Sequence, residues 1–253
     1  MQNSLNGKTF VIVGATSGIG MTLANALSKE GANTVLIARN KIKLENIAKE
    51  LLQSVFTAQL DVLSDTLEQD LVSIMENAKN KLSVEGFDGG VYCPGIAPIL
   101  PLRGINSKII EDVFRVNYNG AVIFTKIMAS KAFRHKNMTS IVLISSVSAK
   151  KGEKGLSIYG ASKAALRASA RSFARELAPQ GVRVNCVMSG WIDTEMNTTN
   201  SQVAIGIEKT MRELHPLGLG TAQNISDAIL FLLSERSGWI TGTNMIVDGG
   251  FLS

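Results

Sequence analysis

Apolar residues along this chain fall into two alternating patterns. Short runs that are apolar at nearly every position read as strands: Thr9–Val13, Thr34–Ala38, Gly89–Cys93, Ser140–Ser145, Arg183–Val187 and Asn244–Val247, with a fainter one at Phe56–Leu60. A strand that is apolar throughout, rather than at every second position, is covered on both faces, as in a parallel sheet. Between the strands lie longer segments with helical spacing of apolar residues: Ile19–Glu30, Lys41–Gln53, Leu67–Leu82, Ser107–Phe133, Ser157–Ala178 and Asn224–Ser234. This alternation predicts an α/β fold: a doubly wound, parallel, seven-stranded Rossmann sheet with helices on both faces, in three α/β/α layers. No linker or repeat interrupts it, so residues 1–253 are expected to form a single domain.

Residues 190–222 break the rhythm. They hold Trp191, Met196 and Met211, the breaker Pro216 and a turn with Gly218 and Gly220. An irregular insert after the carboxyl end of a strand is a candidate substrate lid.

Composition narrows the class. Of 253 residues, 45% are hydrophobic and 19% charged, which suits a packed domain and not a disordered chain. Cys93 and Cys186 lie in apolar runs and read as buried thiols of a reducing compartment, so a cytoplasmic location is expected. The polar start, Met1 to Lys8, has no apolar core of a secretory signal, and no apolar run is long enough to span a bilayer. The net charge of +5 is carried by scattered residues, which predicts a mildly basic surface and argues against a nucleic-acid binder. No metal site is expected.

The first strand runs into Gly14-Ala15-Thr16-Ser17-Gly18-Ile19-Gly20 and then a helix. Gly14 suits a tight turn, Gly18 lets backbone amides approach a pyrophosphate, and Gly20 lets the helix pack against the strand. The helix N-terminus favours the phosphate charge. At the end of the second strand stand Ala38 and Arg39, where a carboxylate would bind the ribose 2′-hydroxyl of NAD. A carboxylate repels a 2′-phosphate and a guanidinium clamps it, so the expected cofactor is NADP(H).

Tyr159 and Lys163 are four apart and share one helical face. A lysine ammonium about 4–5 Å from a phenol, at an effective dielectric near 20, supplies roughly 3–4 kcal/mol. That lowers a tyrosine pKa by about 2–3 units and makes it a proton donor to a carbonyl. The strand ending Ile144-Ser145-Ser146 offers a hydroxyl to the same carbonyl oxygen.

With these motifs in place the chain resembles the short-chain dehydrogenase/reductase family over essentially its whole length. Gly14–Gly20 is similar to the family's cofactor turn, Asp61-Val62 to its adenine-contacting pair, and Ile240-Thr241-Gly242 with Val247-Asp248-Gly249-Gly250 to its C-terminal signature. The resemblance implies a tetrad of Asn117, Ser146, Tyr159 and Lys163. Tyr159 is the proton donor; Lys163 holds the nicotinamide ribose and lowers the tyrosine pKa; Ser146, chosen over Ser145 by its family spacing from Tyr159, orients the carbonyl. Asn117 positions a water. Gly95, Thr194 and the Ile192 backbone join the cofactor site. A tetramer, or a dimer, packed through the Ser107–Phe133 and Ser157–Ala178 helices is also implied. Val13, Ser189 and the run Tyr92-Cys93-Pro94-Gly95 depart from the family pattern, the last by losing amide side chains that tie the fourth strand to its neighbours.

Segments such as Leu217–Ala222 and Asn185–Met196 resemble 3-oxoacyl-[acyl-carrier-protein] reductases, which implies a carbonyl substrate borne on an acidic acyl carrier. Their docking arginines are replaced here by Asn137 and Gln180, with Lys131, Arg134, His135 and Lys136 nearby. A small free ketone or keto-sugar is the competing substrate. A cofactor-binding sensor without turnover is the competing class, disfavoured because all four tetrad positions are filled.

Overall fold

A computed structural model describes residues 5–192 and 210–253. Seven parallel strands form one sheet: β1 (Thr9–Val13), β2 (Asn33–Ala38), β3 (Val55–Gln59), β4 (Gly89–Tyr92), β5 (Thr139–Ser146), β6 (Val182–Ser189) and β7 (Asn244–Val247). Their spatial order is β3-β2-β1-β4-β5-β6-β7. The chain first winds outward from β1 to β3 and then returns to β4 on the other side of β1. The order therefore reverses between β1 and β4, which opens a crevice at the carboxyl ends of those two strands.

The apolar runs are buried on both faces because alternate side chains of each strand feed different cores. Val11 and Val13 enter one core with α3 (Leu67–Leu82), α5 (Gly120–Ala129) and α6 (Ser157–Leu177). Phe10 and Ile12 enter the other with α1 (Gly18–Lys29), α2 (Lys41–Glu50) and the helix Ala222–Leu233, here α7. On α6 the buried positions Ser162, Lys163, Leu166, Ala170 and Ala174 recur at helical spacing and form the stripe laid on β5 and β6.

Two predicted helices differ from what forms. The helix expected over Lys41–Gln53 ends at Glu50, because Leu51 is extended and the Leu52 amide leaves to donate to Ser28 Oγ. The helix expected over Ser107–Phe133 is α4 (Ser107–Phe114), a five-residue π segment (Arg115–Asn119), and then α5, which stops where Ser130 turns extended. Within the π segment the Gly120 amide donates to Arg115 O, one residue further back than an α-helix allows. Among the described residues no helix is long and apolar enough to cross a membrane.

Candidate active site

A cleft of about 1370 Å³ lies over the carboxyl ends of the strands. That exceeds the ~300–1,000 Å³ of an ordinary small-ligand pocket and has room for two ligands together. One end is the turn between β1 and α1. Gly14 and Gly18 have φ of 84° and 46°, a region that favours glycine. The Gly14 and Ala15 amides both donate to Ile37 O, which ties the turn to β2. A methyl on Gly20 would overlap the Gly14 carbonyl, so α1 starts hard against the turn. Ser17 caps α1 without a side-chain bond, and no acid stands in the first turn. The first amides of α1 therefore lack a side-chain acceptor, and the cradle fits a pyrophosphate. Thr16, Ser17, Gly18 and Ile19 line the cleft there.

Further along, Arg39 lines the cleft with Lys41 and Lys43, while Asn40 caps α2 by accepting from the Lys43 amide. Arg39 is exposed, and Gln59 Nε2 donates to its carbonyl. Asp61 and Val62 line the same end, and Asp61 Oδ1 accepts from the Leu63 amide.

The other end brings together the tetrad positions. Ser146 closes β5, Tyr159 and Lys163 stand one turn apart on α6, and all three line the cleft. The Ser146 hydroxyl stands close enough to the Tyr159 phenol to favour its ionised form. Ser145 is occupied differently: its hydroxyl donates to the Lys163 carbonyl inside α6. Lys163 is buried and donates to Ile144 O at 2.8 Å, with its Nζ 5.9 Å from the centre of the Tyr159 ring. Gly95 lies beside the lysine tip, where a methyl would sit in ordinary contact, 3.4 Å from Nζ. Asn117 lies in the π segment, fully buried. Its amide clasps Ile96, accepting from N at 2.8 Å and donating to O at 3.0 Å, and it also donates to Ser162 Oγ. Ile192 lines the cleft and Thr194 lies outside the described residues, as does most of the 190–222 insert.

Electrostatics correct one expectation. The Tyr159 phenol is held above its ordinary pKa, not below it. Burial withholds solvation from the phenolate; the Ser146 hydroxyl works against this, and the Glu153 carboxylate adds a smaller repulsion. The same burial lowers Lys163 to about 8, since its ammonium is desolvated with no carboxylate beside it. Two thiols flank this lysine. Burial pushes Cys93 and Cys186 each up to about 12, and neither forms a disulfide. Among the described residues no cluster of His, Cys, Asp and Glu could hold a metal.

Three features were not foreseen. Tyr92, at a departure from the family pattern, supplies a new tie: its hydroxyl donates to Val116 O at 2.7 Å in the π segment. Glu153 enters the cleft on a short loop and accepts from Ser148 Oγ. His215 is 3% exposed and joins three segments. Its Nε2 accepts from the Trp191 amide, so Nδ1 carries the proton and donates to Met211 O, while the ring stacks on Phe251. A lone histidine between Leu214 and Pro216 carries no such signal in sequence.

A sequence model of the family described as Enoyl-(Acyl carrier protein) reductase matches residues 14–252, nearly the whole chain. The chain belongs to the short-chain dehydrogenase/reductase family. As a member of that family it is an oxidoreductase of the CH–OH/C=O class that binds a nicotinamide cofactor. It is 31% identical to an L-xylulose reductase of Caenorhabditis elegans, over 96% of this chain and 95% of that protein. It is equally, 31%, identical to a 3-oxoacyl-[acyl-carrier-protein] reductase of Aquifex aeolicus, over 99% of both. A sorbose reductase of Schizosaccharomyces pombe is 32% identical, over 99% and 98%. The chain is thus about equally similar to relatives named for sugars and for acyl-carrier substrates.

Proposed function

We propose that this short-chain reductase uses NADPH to convert a ketone into a secondary alcohol. The observation that carries the reading is the convergence of Ser146, Tyr159 and Lys163 at one end of a cleft whose other end is the glycine turn. NADPH, when bound, supplies the hydride. Tyr159 gives its proton to the carbonyl oxygen, and the raised pKa keeps that proton in place at neutral pH. Ser146 holds the same oxygen. The Lys163 ammonium stabilises the phenolate left behind. Asn117, through its clasp on Ile96 and Ser162, fixes the floor beneath Lys163.

NADPH is favoured over NADH by charge. Arg39, Lys41 and Lys43 line the cleft around the end of β2, and no carboxylate takes the position of Ala38 or Arg39.

For the substrate, a 3-oxoacyl chain on an acidic acyl carrier is the first reading, supported by the Aquifex aeolicus relative. A small ketone of the sugar type is the second, and specific observations favour it. Arg134 donates to the Gln180 carbonyl and Lys136 pairs with Glu85 at 3.0 Å, so two of the cations next to the replaced docking arginines are engaged within the chain. They also lie beside the amino end of β5, on the rim opposite the cleft. A cytoplasmic homotetramer or homodimer completes the reading and is checked by sizing in solution.

The test is a spectrophotometric screen of purified protein and NADPH against acetoacetyl thioesters, simple ketones and keto-sugars. Turnover is expected on at least one ketone and its loss in Tyr159→Phe. Undiminished turnover in that variant overturns the mechanism, and silence on thioesters alone overturns the acyl-carrier reading.

A further inference from the structure

From the tyrosine, a chain of side chains runs into the substrate half of the cleft. Ser146, beside Tyr159, donates to Ser148 Oγ at 3.3 Å. Ser148 Oγ donates in turn to Glu153 Oε2 at 2.5 Å. The Ser148 amide donates back to Ser146 Oγ at 3.2 Å and locks the pair. Gly160 lets α6 press on this turn, because a methyl there would come within 2.6 Å of the Ser148 carbonyl. Loop 99–100 closes over the far side: the Leu100 amide donates to Gly155 O, and the Ile99 side chain packs against Gly155. The carboxylate is therefore held in place from both flanks.

Glu153 is half-buried and lines the cleft. Among the described residues it has no ion-pair partner, and Oε1 has no donor. Its loop does carry cations: Lys150, Lys151 and Lys154 are exposed, and Lys151 Nζ sits 4.2 Å from the centre of the Phe251 ring. A half-buried carboxylate with an open oxygen calls for a hydrogen-bond donor on whatever fills the space before it. The three lysines of its loop disfavour a cationic ligand, and Glu153 itself disfavours an anionic one. The partner that satisfies both is a neutral hydroxyl.

We propose that Glu153 is a specificity-determining residue, selecting neutral ketones that carry a hydroxyl a few carbons from the carbonyl. The proposal rests on the ketone-reductase reading and names its substrate class. A site built to bond a hydroxyl strongly rejects the analogue that lacks it, because the buried acceptor is then left unpaired.

The experiment follows NADPH oxidation with four substrates: a ketopentose, the plain alkanone of the same length, a keto acid and a reactive 1,2-diketone. It compares the wild type with Glu153→Ala, Glu153→Gln and Glu153→Lys, each checked for folding by NADPH fluorescence. The wild type is expected to favour the ketopentose over the alkanone by at least about tenfold in kcat/KM. Glu153→Ala should cut that preference about tenfold, through KM more than kcat. Glu153→Gln should restore part of it, and Glu153→Lys should shift preference toward the keto acid. An equal loss on ketopentose and alkanone in Glu153→Ala overturns the proposal, as does a wild type with no preference. Turnover of the diketone without such preference leaves the reductase reading standing, whereas silence on all four substrates overturns both.

Discussion

The Tyr92 hydroxyl donates to the Val116 carbonyl at 2.7 Å, where the helix that carries Asn117 widens into its π segment. In an α-helix that carbonyl would receive the Gly120 amide, which here reaches Arg115 instead. Tyr92 thus stands in for a backbone donor, and Gly120 makes room for it: a methyl at 120 would overlap the hydroxyl. Tyr92→Phe should destabilise the protein by about 1–3 kcal/mol by leaving a buried carbonyl unpaired. Gly120→Ala should cost more, and the double variant less than the sum of the two, because the clash partner is gone. Thermal melts of the four proteins check this; strict additivity would show that the two residues do not interact.

Lys163 gives the second prediction. Folding lowers it from 10.5 to about 8, so between those values the unfolded chain holds a proton that the folded chain has released. Stability from this group therefore rises with pH across that window and is at its poorest below pH 8. At about 1.36 kcal/mol per unit, burying the charged form costs about 3 kcal/mol at pH 7. Lys163→Met is expected to abolish turnover yet raise Tm at pH 7, with the gain shrinking by pH 10. A variant that melts lower at pH 7 than the wild type contradicts this.

The pH profile of reduction is the third. Tyr159 stays protonated well into the alkaline range, so the group that leaves its working form first is Lys163. Reductive kcat/KM should hold level up to about pH 8 and then fall. A profile flat beyond pH 9 would mean that the Lys163 charge does not matter to the step.

Arg39 provides the fourth. Arg39→Ala removes a guanidinium from the cleft at the end of β2 and should raise the KM for NADPH by about tenfold or more, leaving that for NADH nearly unchanged. Equal effects on both cofactors would indicate a role unrelated to a 2′-phosphate.

Much of the fold was legible in the sequence because parallel strands covered on both sides announce themselves as continuous apolar runs. The six apolar runs and the fainter Phe56–Leu60 all became strands, with ends shifted by at most two residues. The break in the long helix was not legible. Arg115–Asn119 keeps helical spacing of apolar residues, and the wide turn depends on a tyrosine hydroxyl arriving from a strand distant in sequence. The glycine turn between β1 and α1, and the residues Ser146, Tyr159 and Lys163 that line the same cleft, were readable as motifs with fixed spacing. Glu153 and Ser148 were not, because their meaning lies in a hydrogen-bond chain that no spacing encodes. The direction of the Tyr159 shift was misread because the opposite charge was weighed without the desolvation of the phenol.

The stack of Lys151, Phe251 and His215 has a practical consequence for handling the protein. Phe251 lines the cleft, so a bulky label placed on this stack would stand against the cleft wall. Gly7, bonded to Gly31 at the edge where the strands begin, lies across the sheet from the cleft. A surface tether belongs on that side, and immobilised protein attached there would keep its cleft open to solution.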